Sequence, residues 1–253
     1  MLKPTPPVLA VLALLAAASD AEALDVHDLD IFVPNTLDDA FVGEPGEAQL
    51  QGAGRYDRRR GHDELRLFPQ LQVIPLRGLQ LSFNVPYTFR SGPEPDESAI
   101  GVGALYVLND EKHVLPAFAL SADYNAAIGP GDRGSELELA GIASKTLEPT
   151  MQRRLHLNVA WIRSFDPSEE ERRNSYRFAA GYSQLLSPNT VVIADYVRER
   201  QERGERDANV LELGFRRRVA ERVTLGVGAG AGIGQDSPRF RALFSIQVSL
   251  PGS

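Results

Sequence analysis

Apolar and polar residues alternate with a period of two along most of the chain after residue 46. The C-terminal run shows this alternation best, because nearly every second residue is apolar. One face carries Phe240, Ala242, Phe244, Ile246, Val248 and Leu250, and the other carries Arg239, Arg241, Ser245, Gln247 and Ser249. Such alternation is typical of a β-strand with one apolar face.

Turn-forming residues divide the chain into runs of similar length. We predict twelve strands, although ten or fourteen remain as alternatives because the first and sixth runs alternate least clearly. The runs are 47–57, 64–75, 79–90, 98–109, 115–126, 135–147, 154–165, 174–186, 190–200, 208–218, 223–233 and 238–250.

The connections between these runs alternate in length and charge. Those at 76–78, 110–114, 187–189 and 219–222 are short, that at 148–153 is somewhat longer, and the others are longer or more charged. Bacterial outer-membrane barrels have short periplasmic turns and longer extracellular loops. Aromatic residues near the longer loops suit an interfacial girdle, with ordinary strand enrichment as the alternative: Tyr56, Tyr87, Phe89, Tyr124, Phe165, Tyr176 and Phe240.

These patterns predict an all-β fold, a single closed antiparallel transmembrane β-barrel of about twelve strands over residues 47–253. The sheet must close because unpaired strand edges are not tolerated in lipid. No internal apolar run approaches the roughly 20 residues of a membrane helix. The net charge of −7 argues against nucleic-acid binding, and the absence of cysteine excludes disulfides and thiolate metal sites.

The N-terminal region has two parts that precede the barrel. Residues 1–23 have the features of a signal peptide, with Lys3, an apolar segment at 8–18 and a cleavage site after Ala23. A membrane anchor is the alternative, but the apolar segment is too short to span a bilayer. Residues 24–46 form an acidic arm that is periplasmic or lies in the lumen. We therefore expect a location in the bacterial outer membrane.

Three segments resemble a family of outer-membrane transporters named for the meta pathway of phenol degradation. They are residues 38–51 (DDAFVGEPGEAQLQ), 79–87 (LQLSFNVPY) and 99–108 followed by 115–125 (AIGVGALYVL and LPAFALSADYN). The resemblance extends over most of the chain after the signal peptide as a pattern, with little exact motif. It implies a porin-like barrel and transport of small organic compounds, and it supplies no catalytic residues.

By alternation, a set of polar residues points into the barrel and forms the candidate pore lining. Acidic residues of the sixth run are expected roughly across the lumen from arginines of the twelfth, where opposed charges select polar solutes. The alternative is that these charges only neutralise their neighbours. The set is Asp123, Glu136, Glu138, His156, Asn158, Arg177, Asp195, Glu212, Arg216, Arg239 and Arg241.

Glycine occupies every second position from Gly226 to Gly234. The series lacks the spacing and following helix of a phosphate-binding loop. Glycine inside a strand marks a bend or the close approach of another backbone. We form the hypothesis that the arm 24–46 lies against this strip and narrows the lumen; barrel curvature is the alternative.

The favoured function is passive or facilitated diffusion of small solutes through a polar lumen, without cofactor or metal. The first alternative is a non-conducting barrel with a structural or lipopolysaccharide-contacting role, and the loop arginines at 58–60 and 198–206 suit that contact. The second is a lipid-modifying enzyme, suggested by His156 and Asn158, but no serine accompanies the pair, and we expect no enzyme. Expected partners are lipid, lipopolysaccharide, a solute and the barrel-insertion machinery, with the oligomeric state undefined.

Overall fold

The computed structural model describes residues 26, 29–30, 33–91, 96–128, 134–148, 152–167, 172–199, 204 and 206–250. The predicted signal peptide and its cleavage site lie outside these residues. The strands are β1 (Ala48–Arg58), β2 (Asp63–Leu76), β3 (Leu79–Asn84), β4 (Tyr87–Arg90), β5 (Glu97–Asn109), β6 (Ala117–Ala127), β7 (Glu136–Glu148), β8 (Arg153–Ser164), β9 (Asn174–Ser187), β10 (Thr190–Glu199), β11 (Ala208–Ala220), β12 (Val223–Ile233) and β13 (Phe240–Leu250).

The sheet closes on itself through its first and last strands. All neighbouring strands are antiparallel, and β1 pairs with both β2 and β13. β3 and β4 lie end to end between β2 and β5. The described segments therefore fill twelve strand positions. This confirms the predicted closed twelve-stranded antiparallel barrel and excludes the counts of ten and fourteen.

One predicted strand is interrupted. The run 79–90 was expected to be continuous, but β3 ends at Asn84 and β4 begins at Tyr87. Pro86 lies in the gap and has no backbone N–H to donate to a ladder. The Val85 N–H donates to the Pro69 carbonyl oxygen at 3.0 Å, which keeps the two segments aligned.

The barrel has an apolar exterior and a largely polar interior. On β11, Leu213 is 50 % exposed whereas its neighbour Glu212 is 3 % exposed, and Arg216 is completely buried. This arrangement inverts that of a soluble protein, and it suits a wall that faces lipid on the outside. The described part of the chain contains no helix that is long and apolar enough to cross a membrane.

The two ends of the barrel differ in their connections. Two-residue turns join β2 to β3, β9 to β10 and β11 to β12 at one end, which we call the short-turn end. Both chain termini of the barrel lie there, and the other end is called the long-loop end. The connection from β5 to β6 is longer than predicted and ends at Pro116, where Glu111 accepts hydrogen bonds from Lys145 and Thr146 on β7.

Exposed aromatic rings lie on the outer face near the long-loop end. Tyr87 and Phe89 stack with ring centroids 6.4 Å apart, and Tyr124 contacts Phe165 edge to face at 6.5 Å. Large amphipathic rings at this level suit a membrane interface.

Candidate functional site

The described residues of the acidic arm lie inside the barrel, where they bind inward-facing side chains of several strands. The side-chain amide of Asn35 donates to Asp195 of β10 at 2.7 Å. Thr36 donates from its backbone N–H at 2.9 Å and from its hydroxyl at 3.1 Å to the carboxylate of Glu212 on β11. These four residues are buried, so the arm replaces solvent at this part of the wall.

A second group of hydrogen bonds holds the arm against β7 and β8. Asn158 accepts from the Asp38 N–H at 2.8 Å and donates to the Asp38 carbonyl at 2.9 Å, so one side chain binds both backbone groups. The Ala40 N–H donates to the hydroxyl of Ser144 at 3.0 Å. Backbone groups that are paired in this way can stay in an enclosed lumen.

Ser144 belongs to a polar group that crosses three strands. Nδ1 of His156 lies 3.0 Å from Oγ of Ser144, and Nε2 lies 2.8 Å from Oγ of Ser183. All three residues are buried inside the barrel. A hydroxyl thus lies beside the imidazole that the sequence singled out, but the group faces the lumen rather than the lipid.

Two apolar clusters anchor the arm. Leu37 packs with Val191 and Ile193 of β10, while Ala40 packs with Leu105 of β5. The full sets are Val26, Leu29, Leu37, Ala179, Val191, Ile193 and Val197 for the first, and Ala40, Leu105, Ala117, Ala119 and Ile142 for the second. The interior is therefore less uniformly polar than the alternation predicted, because part of it receives apolar residues of the arm.

The arm packs directly against glycines of the barrel wall. A Cβ added at Gly214 would overlap Oδ1 of Asn35, and one added at Gly226 would lie 3.0 Å from Cδ of Pro34. Within the predicted glycine series, Gly226 alone has an arm atom among these nearest neighbours; Gly228 and Gly230 have β11 atoms instead. The hypothesis that the arm covers this strip therefore applies to its first member and to Gly214 on the adjacent strand.

The arm also carries acidic groups into the lumen. Asp30 accepts hydrogen bonds from Gln51 at 2.7 Å and Gln72 at 2.6 Å. Burial raises the pKa of Asp38 well above its ordinary value, and the carboxylates of Asp30, Asp39 and Asp123 raise it further. Docking the arm thus favours the protonated form of Asp38.

A buried ion-pair network crosses the lumen nearer the long-loop end. Arg241 of β13 donates to Asp57 of β1 at 2.6 Å, to Glu212 of β11 at 2.6 Å and to Glu199 of β10 at 3.0 Å. Arg55 of β1 donates to Glu199 at 3.1 Å. The network therefore joins strands from different parts of the wall, and the close approach of opposite charges offsets their desolvation.

A second ionic group lines β2, β4 and β5. Arg90 donates to Glu64 at 3.2 Å and also pairs with Glu97, while Arg66 pairs with Glu64. Charges of both signs are thus matched locally on this side of the barrel as well.

A polar cavity of about 130 Å³ remains between the arm and the wall. Glu138 and Arg177 form an ion pair at its edge. The carboxylate of Asp123 faces the cavity and accepts no hydrogen bond from any described residue. The residues around the cavity are Asp30, Asp38, Phe68, Gln70, Gln80, Ser82, Asn84, Pro86, Ala104, Leu105, Ser121, Asp123, Asn125, Glu138 and Arg177.

The structure places ten of the eleven predicted lining residues on the inner face: Asp123, Glu136, Glu138, His156, Asn158, Arg177, Asp195, Glu212, Arg216 and Arg241. Arg239 lies just before β13, where its side chain is exposed. Glu138 and Arg241, which were expected on opposite sides of the lumen, are both paired with other residues, as in the alternative given above. Glu138 pairs with Arg177, and Arg241 pairs with nearer carboxylates.

The prediction omitted several charged residues of the ion-pair network. Arg55 and Asp57 alternate in register with Gln49 and Gln51, and Glu199 alternates with Asp195. The same period-two rule could therefore have identified them. It could not identify Asp30 and Asp38, since the arm has no strand periodicity.

No protein-family model matches the chain, and no curated protein matches its sequence. Solved structures are similar. The COG4313 outer-membrane channel of Pseudomonas putida F1 aligns with a TM-score of 0.68 at 12 % identity, over 84 % of this chain and 98 % of that one. The NanC porin aligns with a TM-score of 0.55 at 10 % identity, and the KdgM porin with 0.52 at 12 %, each over 79 % of this chain and 98 % of its own. The chain therefore has the fold of outer-membrane porin-like channels.

Proposed function

We propose that this protein is an outer-membrane channel for passive or facilitated diffusion of small solutes. The observation that carries the proposal is a closed barrel, apolar outside, whose polar interior keeps an unfilled cavity beside the arm. Such a barrel satisfies every strand edge in lipid while offering polar groups to a solute inside.

The cavity limits what passes while the arm is docked. The space beside the docked arm is only about 130 Å³. We therefore propose that ions and very small solutes use this space, and that larger solutes require the arm to move. The resemblance of residues 38–51 and 79–87 to the phenol-pathway transporters supports small organic compounds as the solute class.

The rest of the chain fits this role. Residues 1–23 act as a signal peptide cleaved after Ala23, residues 24–46 form the luminal arm, and residues 47–253 form the barrel. The short-turn end faces the periplasm and the long-loop end faces outward, where arginines at 58–60 and 198–206 contact lipopolysaccharide. Barrel-insertion machinery delivers the chain, and transport needs no cofactor or metal.

A non-conducting barrel is the second candidate, and the density of the luminal contacts favours it. The arm and the Arg241 network together fill much of the interior. Lipid hydrolysis is not favoured, because the imidazole of His156 is buried in a luminal group with Ser144 and Ser183.

Single-channel conductance of the refolded mature protein tests the proposal. We expect small, reproducible steps for the native chain and larger steps after deletion of residues 24–46. Heat-sensitive gel mobility reports whether each protein is a folded barrel. Asn158→Ala, which removes two hydrogen bonds to Asp38, gives an intermediate result if the deletion does not fold. Absence of steps from every folded protein would reject conduction and favour the structural role.

A further inference from the structure

The turn between β11 and β12 places an arginine at the luminal mouth of the short-turn end. The backbone N–H of Ser249 donates to the carbonyl of Arg222 at 2.9 Å, and Val223 pairs with Val248. Arg222 thus lies opposite Ser249, in the same alternation as the buried Thr224. Because alternation fixes the face, the Arg222 side chain belongs to the luminal side.

The guanidinium of Arg222 has no partner among the described residues. Its two terminal nitrogens, Nη1 and Nη2, are inaccessible to solvent and have no hydrogen-bond partner in that part of the chain. A guanidinium withdrawn from water without an anion is costly, and native proteins rarely leave one so.

Two further arginines lie on the same face of the sheet. Arg218 pairs in register with Thr224 on the same luminal face, one step deeper than Arg222. Arg216 lies deeper again, where it donates to Gln247. Thr224 and Ser249 supply hydroxyl groups beside the two outer arginines. A planar guanidinium fork with nearby hydroxyls matches the geometry of an oxyanion.

We propose that the luminal face of the β11–β12 turn binds an oxyanion, a phosphate or carboxylate group held by Arg222 with Arg218, Thr224 and Ser249 around it. The oxyanion comes either from a free solute at the mouth of the lumen or from the headgroup of an anionic lipid at the rim. The site depends on the barrel and not on conduction, so it stands or falls separately from the proposed channel.

Titration calorimetry of the refolded protein in non-ionic detergent tests the site, with inorganic phosphate added at constant ionic strength. We expect saturable binding that Arg222→Gln weakens by about tenfold or more, since a charge-assisted hydrogen bond is lost. Arg77→Gln is the matched control. Arg77 lies on the same rim, but its side chain is 82 % exposed and pairs with Asp110, so binding is expected to be unchanged.

A second experiment separates the two sources of the oxyanion. The protein is reconstituted in phosphatidylcholine vesicles with and without phosphatidylglycerol, and the midpoint of heat-induced unfolding is followed on gels. Stabilisation by phosphatidylglycerol that Arg222→Gln abolishes assigns the site to lipid; a response to phosphate alone assigns it to a solute. Arg222→Lys, which keeps the charge without the fork, replaces the glutamine variant if that does not fold. Equal responses from native and variant proteins, or none to either anion, overturn the proposal.

Discussion

Arg241 illustrates what an inward-facing charge requires in this barrel. It is fully buried and reaches three carboxylates on three strands, those of Asp57, Glu199 and Glu212. Removing one member of such a network leaves the others buried and uncompensated, which is more damaging than losing an exposed pair. The residue therefore contributes to the closed shape of the wall as well as to its charge.

Substitution of Arg241 by methionine is expected to destabilise the barrel by about 3–5 kcal/mol. Arg198→Met is the matched control, because that guanidinium is more than half exposed beside Asp207 and such pairs contribute about 1 kcal/mol or less. Urea unfolding of both variants in the same lipid measures the difference. Equal stability of the two variants would contradict the network.

Asp38 gives the arm a dependence on pH. Burial beside Asp30, Asp39 and Asp123 raises its pKa in the docked arm, whereas a released arm has the ordinary value. Docking is therefore strongest below the ordinary pKa of an aspartate and weakens as the pH rises through the interval up to the raised value. We expect conductance to increase with pH over that interval. Asp38→Asn should flatten the curve, and an unchanged slope would show that Asp38 does not control it.

At the residue scale, prediction from sequence worked where alternation applied and failed where it did not. His156, Asp195 and Glu212 lie within regular strands, so their positions in the alternation predicted that their side chains point into the lumen. Arg239 lies just before β13, and its side chain is exposed there. The partners of the charged residues could not be predicted, since they depend on which strands approach across the lumen.

At the element scale, glycine shapes the wall that receives the arm. A Cβ at Gly214 would overlap the side chain of Asn35, which is held by Asp195. Gly141 on β7 has open space where its Cβ would be. The two glycines thus differ in what a methyl group would meet, although both lie in barrel strands.

Gly214→Ala is expected to displace the arm and raise the conductance towards that of the arm deletion. Gly141→Ala should leave the conductance unchanged. Single-channel recordings give the step size, and proteolysis of the mature protein reports release of the arm. If both alanine variants conduct like the native chain, docking of the arm does not depend on glycine at position 214.

The strands were predictable because the pattern repeats and because lipid allows few alternatives. The interruption at Pro86 could have been anticipated from the missing N–H, but the aromatic alternation on both sides favoured a continuous strand. The arm was the hardest element to predict. Its contacts combine short apolar residues such as Leu37 and Ala40 with backbone hydrogen bonds, and neither produces a periodic signal.

At the scale of the whole molecule, the space beside the arm has an acidic lining. Glu138 and Arg177 neutralise each other, while Asp123 and the arm residues Asp30 and Asp38 face the same cavity. Carboxylates in a narrow low-dielectric passage concentrate cations and repel anions. The proposed channel should therefore prefer cations once these groups are ionised.

We expect the reversal potential in a salt gradient at alkaline pH to report cation preference, and Asp123→Asn to reduce it. Asp110→Asn removes the same charge from an exposed position in the β5–β6 connection and should have little effect. Anion preference in the native protein, or equal shifts in the two variants, would contradict an acidic selectivity region at the cavity.

The contact between the arm and the glycines that it packs against also has an evolutionary consequence. Gly181, Gly214 and Gly226 are free of side chains where Leu37, Asn35 and Pro34 lie. Selection keeps glycine at these positions only while the arm packs against them. In a lineage that shortens or loses the arm, these positions become open to alanine, serine or larger residues. Descendants of a common ancestor that keep the arm should therefore also keep the three glycines. Those that have lost both should have a wider lumen.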